Sequence, residues 1–376
     1  MKPFAKNGII YDVVVVGAGA AGVGVSVALT RAGIENFIIL DRHKVGASFD
    51  AWPKQTRFIR PSFPTNSIGM LDLNSIAIGT SPAFSLRAEH PTGREYAWYL
   101  RTVAAYFKLP ISENTHVQEI TKVQEFFHIE VEDEILLARH VIWAAGEFQY
   151  PRLDGFVGSK HCRHTATIAS YEELAGDDFI VIGGYESGID VAYHLAKQGK
   201  RVKLFDEGCP WEELDSDPSV ALSTYTFERM RHNAFFEQVK LFPNAPISSV
   251  ILVDGTYEVA TQDGYVFRTP VPPILAGGFK GSHKLVENLF EQRADGFPLL
   301  NKHDESTIVP GAYLCGPSVR HGKNIFCFIY KFRQRFAVVA KAIANSLDFP
   351  AEDLETYRKW GMYLDDLSIC GEDCVC

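Results

Sequence analysis

The chain has 376 residues, 46% of them hydrophobic and 22% charged, with a formal net charge of −9. That length accommodates two or three domains around a sizeable core, and the acidic balance argues against nucleic acid or an anionic membrane as a main partner. Seven cysteines, an odd number in a long chain, fit a reduced cytoplasmic protein better than a disulfide-built secreted one.

The first element is the run Val13 to Val16, which reads as a buried parallel strand. The turn Gly17-Ala18-Gly19-Ala20-Ala21-Gly22 follows at once. An apolar helical run continues to Arg31 and stops at Gly33, and a second apolar run, Phe37 to Leu40, ends in Asp41. Strand, glycine turn, helix, strand and an acid about 20 residues on make the dinucleotide fingerprint in its required context. Gly17 permits the tight turn, Gly19 lets backbone approach a pyrophosphate, and Gly22 lets helix and strand pack closely. The helix N-terminus offers free N–H groups to phosphates, and Asp41 is placed for a ribose. The uncharged stretch Val13 to Thr30, after Lys2 and Lys6, has the look of a targeting segment. Its glycines are accounted for by the fingerprint, and no other stretch is long and apolar enough to span a bilayer.

Arg42 to Phe49, with Gly46 and Ser48, forms a small-residue turn that brings further backbone amides to a pyrophosphate; Trp52 follows. Pro53 to Ser85 is loop-rich, and loops of that length inside a compact domain are usually functional. Its polar candidates are Arg60 and Asn66. Glu95 to Phe107 has helical periodicity, while Asn114 to Ile120, Phe126 to Val131 and His140 to Trp143 read as strands. The last ends in Ala144-Ala145-Gly146, small residues that let backbone pass close to a ligand. Pro151 and Gly155 mark the exit from this domain.

Asp178 to Asp206 repeats the opening pattern: strand, Gly183-Gly184-Tyr185-Glu186-Ser187-Gly188, helix, Gly199, strand, acid. Tyr185 stands where the middle glycine is expected, and its side chain should hinder close backbone approach unless Gly184 takes over. Asp206, followed by Glu207, favours NADH over NADPH, because an acid there pairs with a free 2′-hydroxyl and repels a 2′-phosphate. Trp211 to Ile247 is helical in part, and Val250 to Phe267 reads as strands joined by Asp-Gly turns. Pro273 to Phe279, containing Gly277, echoes the strand end at Ala145, so the internal repeat extends beyond the fingerprints. Tyr313 to Leu314 runs into a glycine turn at Gly316-Pro317, and Ile325 to Ala344 reads as one long helix. Cys370, Cys374 and Cys376 crowd the C-terminus, with thiolates for redox chemistry or a soft metal but no fourth ligand nearby. No metal site is assigned.

With GAGAAG at Gly17, VIWAAGEFQYP at Val141, GGYESG at Gly183, ILAGGF at Ile274 and YLCGPS at Tyr313, the chain resembles the flavin-containing monooxygenase-like flavoproteins, in particular the bacterial CzcO-like group. The resemblance implies an α/β fold of two Rossmann-like dinucleotide-binding domains: an FAD domain, 1–165 and 300–350, interrupted by a nested NAD(P)H domain, 170–299, with 351–376 a C-terminal extension carrying the cysteine-rich tail. It implies that Gly17, Gly19, Ala20, Ala21, Gly22, Asp41 and Arg42 hold the ADP half of FAD. Gly46, Ser48, Phe49, Trp52, Val117, Ala145 and Gly146 then line the rest of its path, and Gly316 and Pro317 reach the isoalloxazine end. The second fingerprint, Gly183 to Gly188 with Asp206 and Gly277, takes NADH or NADPH.

The implied activity is an FAD- and NAD(P)H-dependent monooxygenase that acts through a C4a-peroxyflavin on a small molecule with molecular oxygen. The flavin carries the chemistry, and no acid–base dyad stands out in the sequence. Asn66, Arg60 and His164, the last in an F-x-G-x-x-x-H-like stretch from Phe156, are the candidates to bond the reacting oxygen or the nicotinamide. Two alternatives stand beside this reading: a flavin-linked disulfide or thiol oxidoreductase using the cysteine tail, and a metal-binding redox accessory protein. A homodimer is compatible with each.

Overall fold

The computed structural model describes residues 9–132, 134–215, 217 and 219–368. The chain forms two halves, one on a mixed sheet and one on a parallel sheet. The first sheet is built from β1 (Ile10–Val16), β2 (Phe37–Leu40), β3 (Ile111–Ser112), β4 (Val117–Val123), β5 (Phe126–Val131) and β6 (Glu134–Trp143), in the order β3-β2-β1-β6-β5-β4. β6 is long enough to serve two partners on one edge. Its first half pairs antiparallel with β5, and its last three residues pair parallel with a strand from much later in the chain, Ala312–Leu314. The buried valines of β1 lie between β2 and β6, in register Val14 to Ile38 and Val14 to Val141. A strand covered on both faces reads as a continuous apolar run, which is why VVVV is legible.

The first helix, Ala20–Arg31, carries no charge before Arg31 and is buried from Ala20 to Leu29. The helix Gly93–Tyr106 begins in a capping box, in which Thr92 Oγ1 accepts from the Glu95 amide and Glu95 accepts from the Thr92 amide. It buries Tyr96, Tyr99, Leu100 and Val103, a 3.6-residue stripe.

The second sheet contains β7 (Arg163–His164), β8 (Asp178–Ile182), β9 (Arg201–Phe205) and β10 (Val239–Phe242), with Ile274–Leu275 between β8 and β7, all parallel. A three-stranded antiparallel sheet, 247–269, packs behind it. Each half has its own apolar core.

Three expectations need correction. Residues 282–290, expected in the nicotinamide half, place Val286, Leu289 and Phe290 in the first core, and β7, expected in the first half, is a strand of the second sheet. Residues 351–368, the described part of the expected C-terminal extension, pack onto the first half: Ala351, Leu354, Tyr357 and Met362 are buried in its core at a spacing of three to five. Third, the helix expected over 325–344 is broken. A short turn, Ile329–Phe332, and a 3-10 turn, Arg333–Arg335, precede the helix Phe336–Ser346. The break serves two buried arginines. Arg335 reaches Asp304 and the carbonyls of Lys302 and Leu364, and Arg333 reaches the carbonyls of Leu71, Asp72 and Ser75.

Candidate active site

A cavity of about 980 Å³ opens at the carboxyl ends of β1, β2 and β6 and continues between the two halves. This is the crevice where doubly wound sheets take ligands. The first fingerprint forms one end. Gly17 has φ +107, and a Cβ there would lie 2.6 Å from the Ala144 oxygen; a Cβ on Gly22 would lie 1.8 Å from the Gly17 oxygen. Neither position admits a side chain. A Cβ on Gly19, by contrast, meets nothing within 4 Å, so the turn is open on the cavity side. The helix starts there with no side-chain cap, which leaves its first amides facing the cavity. Asp41 Oδ2 accepts from the Ala18 amide (2.7 Å) and Oδ1 from the His43 amide (2.8 Å).

The second fingerprint repeats this geometry. Gly183 has φ +101 and backs onto the Ala276 oxygen as Gly17 backs onto Ala144, and Gly188 backs onto the Gly183 oxygen. Asp206 repeats Asp41, accepting from the amides of Gly184 (2.6 Å) and Gly208 (2.8 Å). Tyr185 starts its helix with the backbone of Gly19 and no side-chain cap. Gly184 does not replace the missing glycine. Trp211 closes over it, 2.6 Å from a notional Cβ.

Of the FAD-side candidates, Gly17, Gly19, Ala20, Ala21, Asp41 and Arg42 line the cavity. So do Ser48, Phe49, Trp52, Val117, Ala145 and Gly146, and Pro317 lies at the far end. Gly22, Gly46 and Gly316 lie behind the wall as packing positions; a Cβ on Gly316 would lie 3.1 Å from the Ala21 Cβ. On the nicotinamide side Tyr185, Glu186 and Ser187 face the cavity, whereas Gly183, Gly184, Gly188, Asp206 and Gly277 are set back from it.

Among the three catalytic candidates only Arg60 lines the cavity. Asn66 lies in a 3-10 turn and donates to the Thr80 carbonyl (3.3 Å). His164 is buried with both ring nitrogens engaged. Nδ1 accepts from the Ala166 amide (3.1 Å), so Nε2 carries the proton toward the Gly278 carbonyl (3.1 Å). Burial holds its pKa below the ordinary value, and the imidazole serves as a neutral brace. Cys370, Cys374 and Cys376 lie outside the described residues. Among the described residues no cluster of His, Cys, Asp and Glu is arranged to hold a metal, and no helix is long and apolar enough to cross a membrane.

Three features escaped sequence reading. Glu147, one residue past the small strand end, lines the cavity. Burial pushes its carboxyl above the ordinary range against the pull of Arg320. Cys327 also lines the cavity and donates to Ser219 Oγ (3.2 Å); burial raises its thiol pKa. Asp190 and Arg229 form a buried ion pair at the junction of the halves, where Asp190 also accepts from Thr56 (2.7 Å) and Tyr171 (3.2 Å). Glu147 had one signal, its place beside Gly146. The other two had none, because Arg229 and Thr56 lie 39 and 134 residues from Asp190, and Ser219 lies 108 residues from Cys327.

Two dinucleotide-binding-type folds thus share one crevice. The chain belongs to the pyridine nucleotide-disulphide oxidoreductase family, whose pattern matches residues 14–316. A CzcO oxidoreductase of uncharacterised activity from Bacillus velezensis is 27% identical over 197 residues, covering 50% of this chain and 53% of that protein. The chain thus spans about half the length of the curated CzcO relatives it matches, and the likeness to the CzcO-like group read from the motifs is found. Two solved structures share the fold at 18% identity, each covering 89% of this chain and 98% of the other. The bacillithiol disulfide reductase Bdr of Staphylococcus aureus superposes with a TM-score of 0.73, and a flavin-containing monooxygenase of Stenotrophomonas maltophilia with 0.69.

Proposed function

We propose that this enzyme is an NAD(P)H-oxidising, FAD-dependent monooxygenase acting on a small organic molecule. The residues fit FAD: an open Gly19, uncapped amides at Ala20 and Ala21, Asp41 for the ribose, and an aromatic wall beyond them. In that wall Trp52 lies 5.3 Å from Phe49 and 6.4 Å from Phe148, and Phe148 lies 5.5 Å from Phe279. FAD held by the Gly19 turn, the Ala20 and Ala21 amides and Asp41 would supply hydride acceptance from a reduced nicotinamide and electron delivery to dioxygen. The aromatic wall orients the planar ring and excludes water. Tyr185, Glu186 and Ser187 present the nicotinamide dinucleotide from the opposite side. NADH is favoured, because the charges of Asp206, Glu213 and Glu207 act on Tyr185, whose hydroxyl pKa is raised first by burial and then by them. A 2′-phosphate added there is repelled.

The observation that carries the oxygenase reading is the thiol census. Of the four described cysteines, all free, only Cys327 faces the cavity. A two-thiol relay needs a neighbouring pair. Cys327 itself supports a second reading, reduction of a disulfide substrate through a single thiol.

The deciding experiment is anaerobic reduction of the FAD-loaded enzyme by NADH, followed by rapid mixing with oxygen or with cystine. A transient oxygenated-flavin spectrum with oxygen supports the monooxygenase. Cystine-driven reoxidation that disappears in Cys327→Ser replaces it with the reductase.

A further inference from the structure

We propose that Arg60 is the anchor for the carboxylate of an organic-acid substrate whose body is aromatic or aliphatic. The inference rests on the reading of the cavity as the reaction chamber. Arg60 follows Trp52 on the loop that enters the crevice. Its carbonyl accepts from Asn74 Nδ2 (3.0 Å), and Asn74 Nδ2 also donates to Ser62 Oγ (2.9 Å), so the backbone is fixed. The guanidinium carbon sits 5.2 Å from the Phe328 ring centroid and 5.9 Å from that of Tyr330, and these two rings stack 5.8 Å apart. Planar guanidinium over aromatic faces is the arrangement arginine prefers and lysine does not reproduce.

What distinguishes Arg60 is the lack of an acid. Two other arginines of the cavity wall are paired, Arg229 with Asp190 and Arg57 with Glu95, while Arg42 stacks on Tyr150 beside the first fingerprint. Lys331, beside Tyr330, is neutralised by Asp217 (2.5 Å). Among the described residues Arg60 has no ion pair, and its Nε is buried without a hydrogen-bond partner. A partly desolvated guanidinium left unpaired is costly, and its fork matches a carboxylate. The neighbouring wall supplies the rest of the ligand's surroundings: Phe148, Phe279, Leu285 and Ile329 are apolar. One unpaired cation on this part of the wall, with the carboxyl of Glu147 also lining the cavity, suits one negative charge rather than a phosphate dianion.

The test uses the FAD-loaded enzyme and calorimetric titration with benzoate, phenylacetate and hexanoate, each against its neutral amide. At least one acid should bind about tenfold or more tightly than its amide, the scale of a charge-assisted hydrogen bond. Arg60→Gln should erase that difference while keeping its FAD, and Arg60→Lys should keep part of it. Equal affinities for acid and amide overturn the proposal, as does no binding of any acid. So does an unchanged preference in Arg60→Gln, or loss of FAD from that variant, which makes the guanidinium a flavin ligand. NADH-driven flavin reduction is measured on the same preparation. If reduction fails while benzoate discrimination persists, the oxidoreductase reading falls and the anion site stands; the reverse result separates them the other way.

Discussion

Tyr185 occupies the backbone conformation of Gly19: φ −80 and ψ −166 at the tyrosine, φ −83 and ψ −166 at the glycine. Each opens a helix with no side-chain cap. The middle position of this turn is thus an extended residue that any side chain can adopt, and glycine there answers only to what must approach from outside.

The glycines of the first turn should therefore separate by experiment. Gly19→Ala should fold normally, since its Cβ has open space. Gly19→Trp should fold but lose FAD, read as flavin absorbance of the purified protein. Gly22→Ala should fold poorly, because its Cβ would press on the Gly17 oxygen at 1.8 Å; overpacking of this kind costs about 2 kcal/mol, measured as a lower denaturation midpoint. A yellow Gly19→Trp protein would contradict the first site.

Asp206→Ala should lower the NADH over NADPH preference, measured as a ratio of kcat/KM values, by about tenfold. It removes the charge behind the turn and the acceptor of the Gly184 and Gly208 amides. An unchanged ratio removes Asp206 from the specificity argument.

Asp190 and Arg229 should behave as a buried pair. Burial opposes ionisation of Asp190, yet the His194 hydrogen bond and the Arg229 charge outweigh it and hold the carboxyl below its ordinary 3.8. A depressed folded-state value means stability that is present above the ordinary carboxylate range and lost as pH falls through the lower native value. Asp190→Asn leaves Arg229 unpaired and should cost about 3 kcal/mol at neutral pH. It should also flatten the acid limb of the stability curve, and urea titration at several pH values reads both.

Glu147 carries the opposite sign. Burial raises its folded-state pKa, with Arg320 pulling down, so its favourable contribution is present in acid and fades as pH rises through the native value. Glu147→Gln should match or exceed the parent's stability in mild alkali. If the carboxyl also holds a proton for turnover, the parent's kcat profile has a limb above the ordinary carboxylate range that this variant lacks. Cys327 is the other titratable group in electrostatic contact with it, and Cys327→Ser serves as the control.

Both fingerprints were legible because their causes are local. A strand buried on both faces must be apolar, a tight strand-to-helix turn must use glycine at Gly17 and Gly183, and the acids Asp41 and Asp206 close the same turns through the Ala18 and Gly184 amides, two residues past each strand end. The break before Phe336 was not legible. It depends on Arg333 and Arg335 finding oxygens at Leu71 to Ser75 and at Asp304, and a run such as IFCFIYKFRQRF has helical periodicity regardless of what lies opposite. His164 failed as a free acid–base group for the same reason, since its partner Gly278 is 114 residues away.

The sequence by itself determined the two nucleotide-binding units, their order and the apolar faces that make each fold, because these follow from the period and turn chemistry of contiguous residues. Only the tertiary structure decided which side chains meet in the crevice. Arg60 beside Phe328 and Tyr330, Glu147 and Cys327 on one wall, and Asp190 under Thr56 are brought together from both halves of the chain. Pairing across such distances is set by how the two sheets dock and what each buried charge finds there, and no local pattern encodes it.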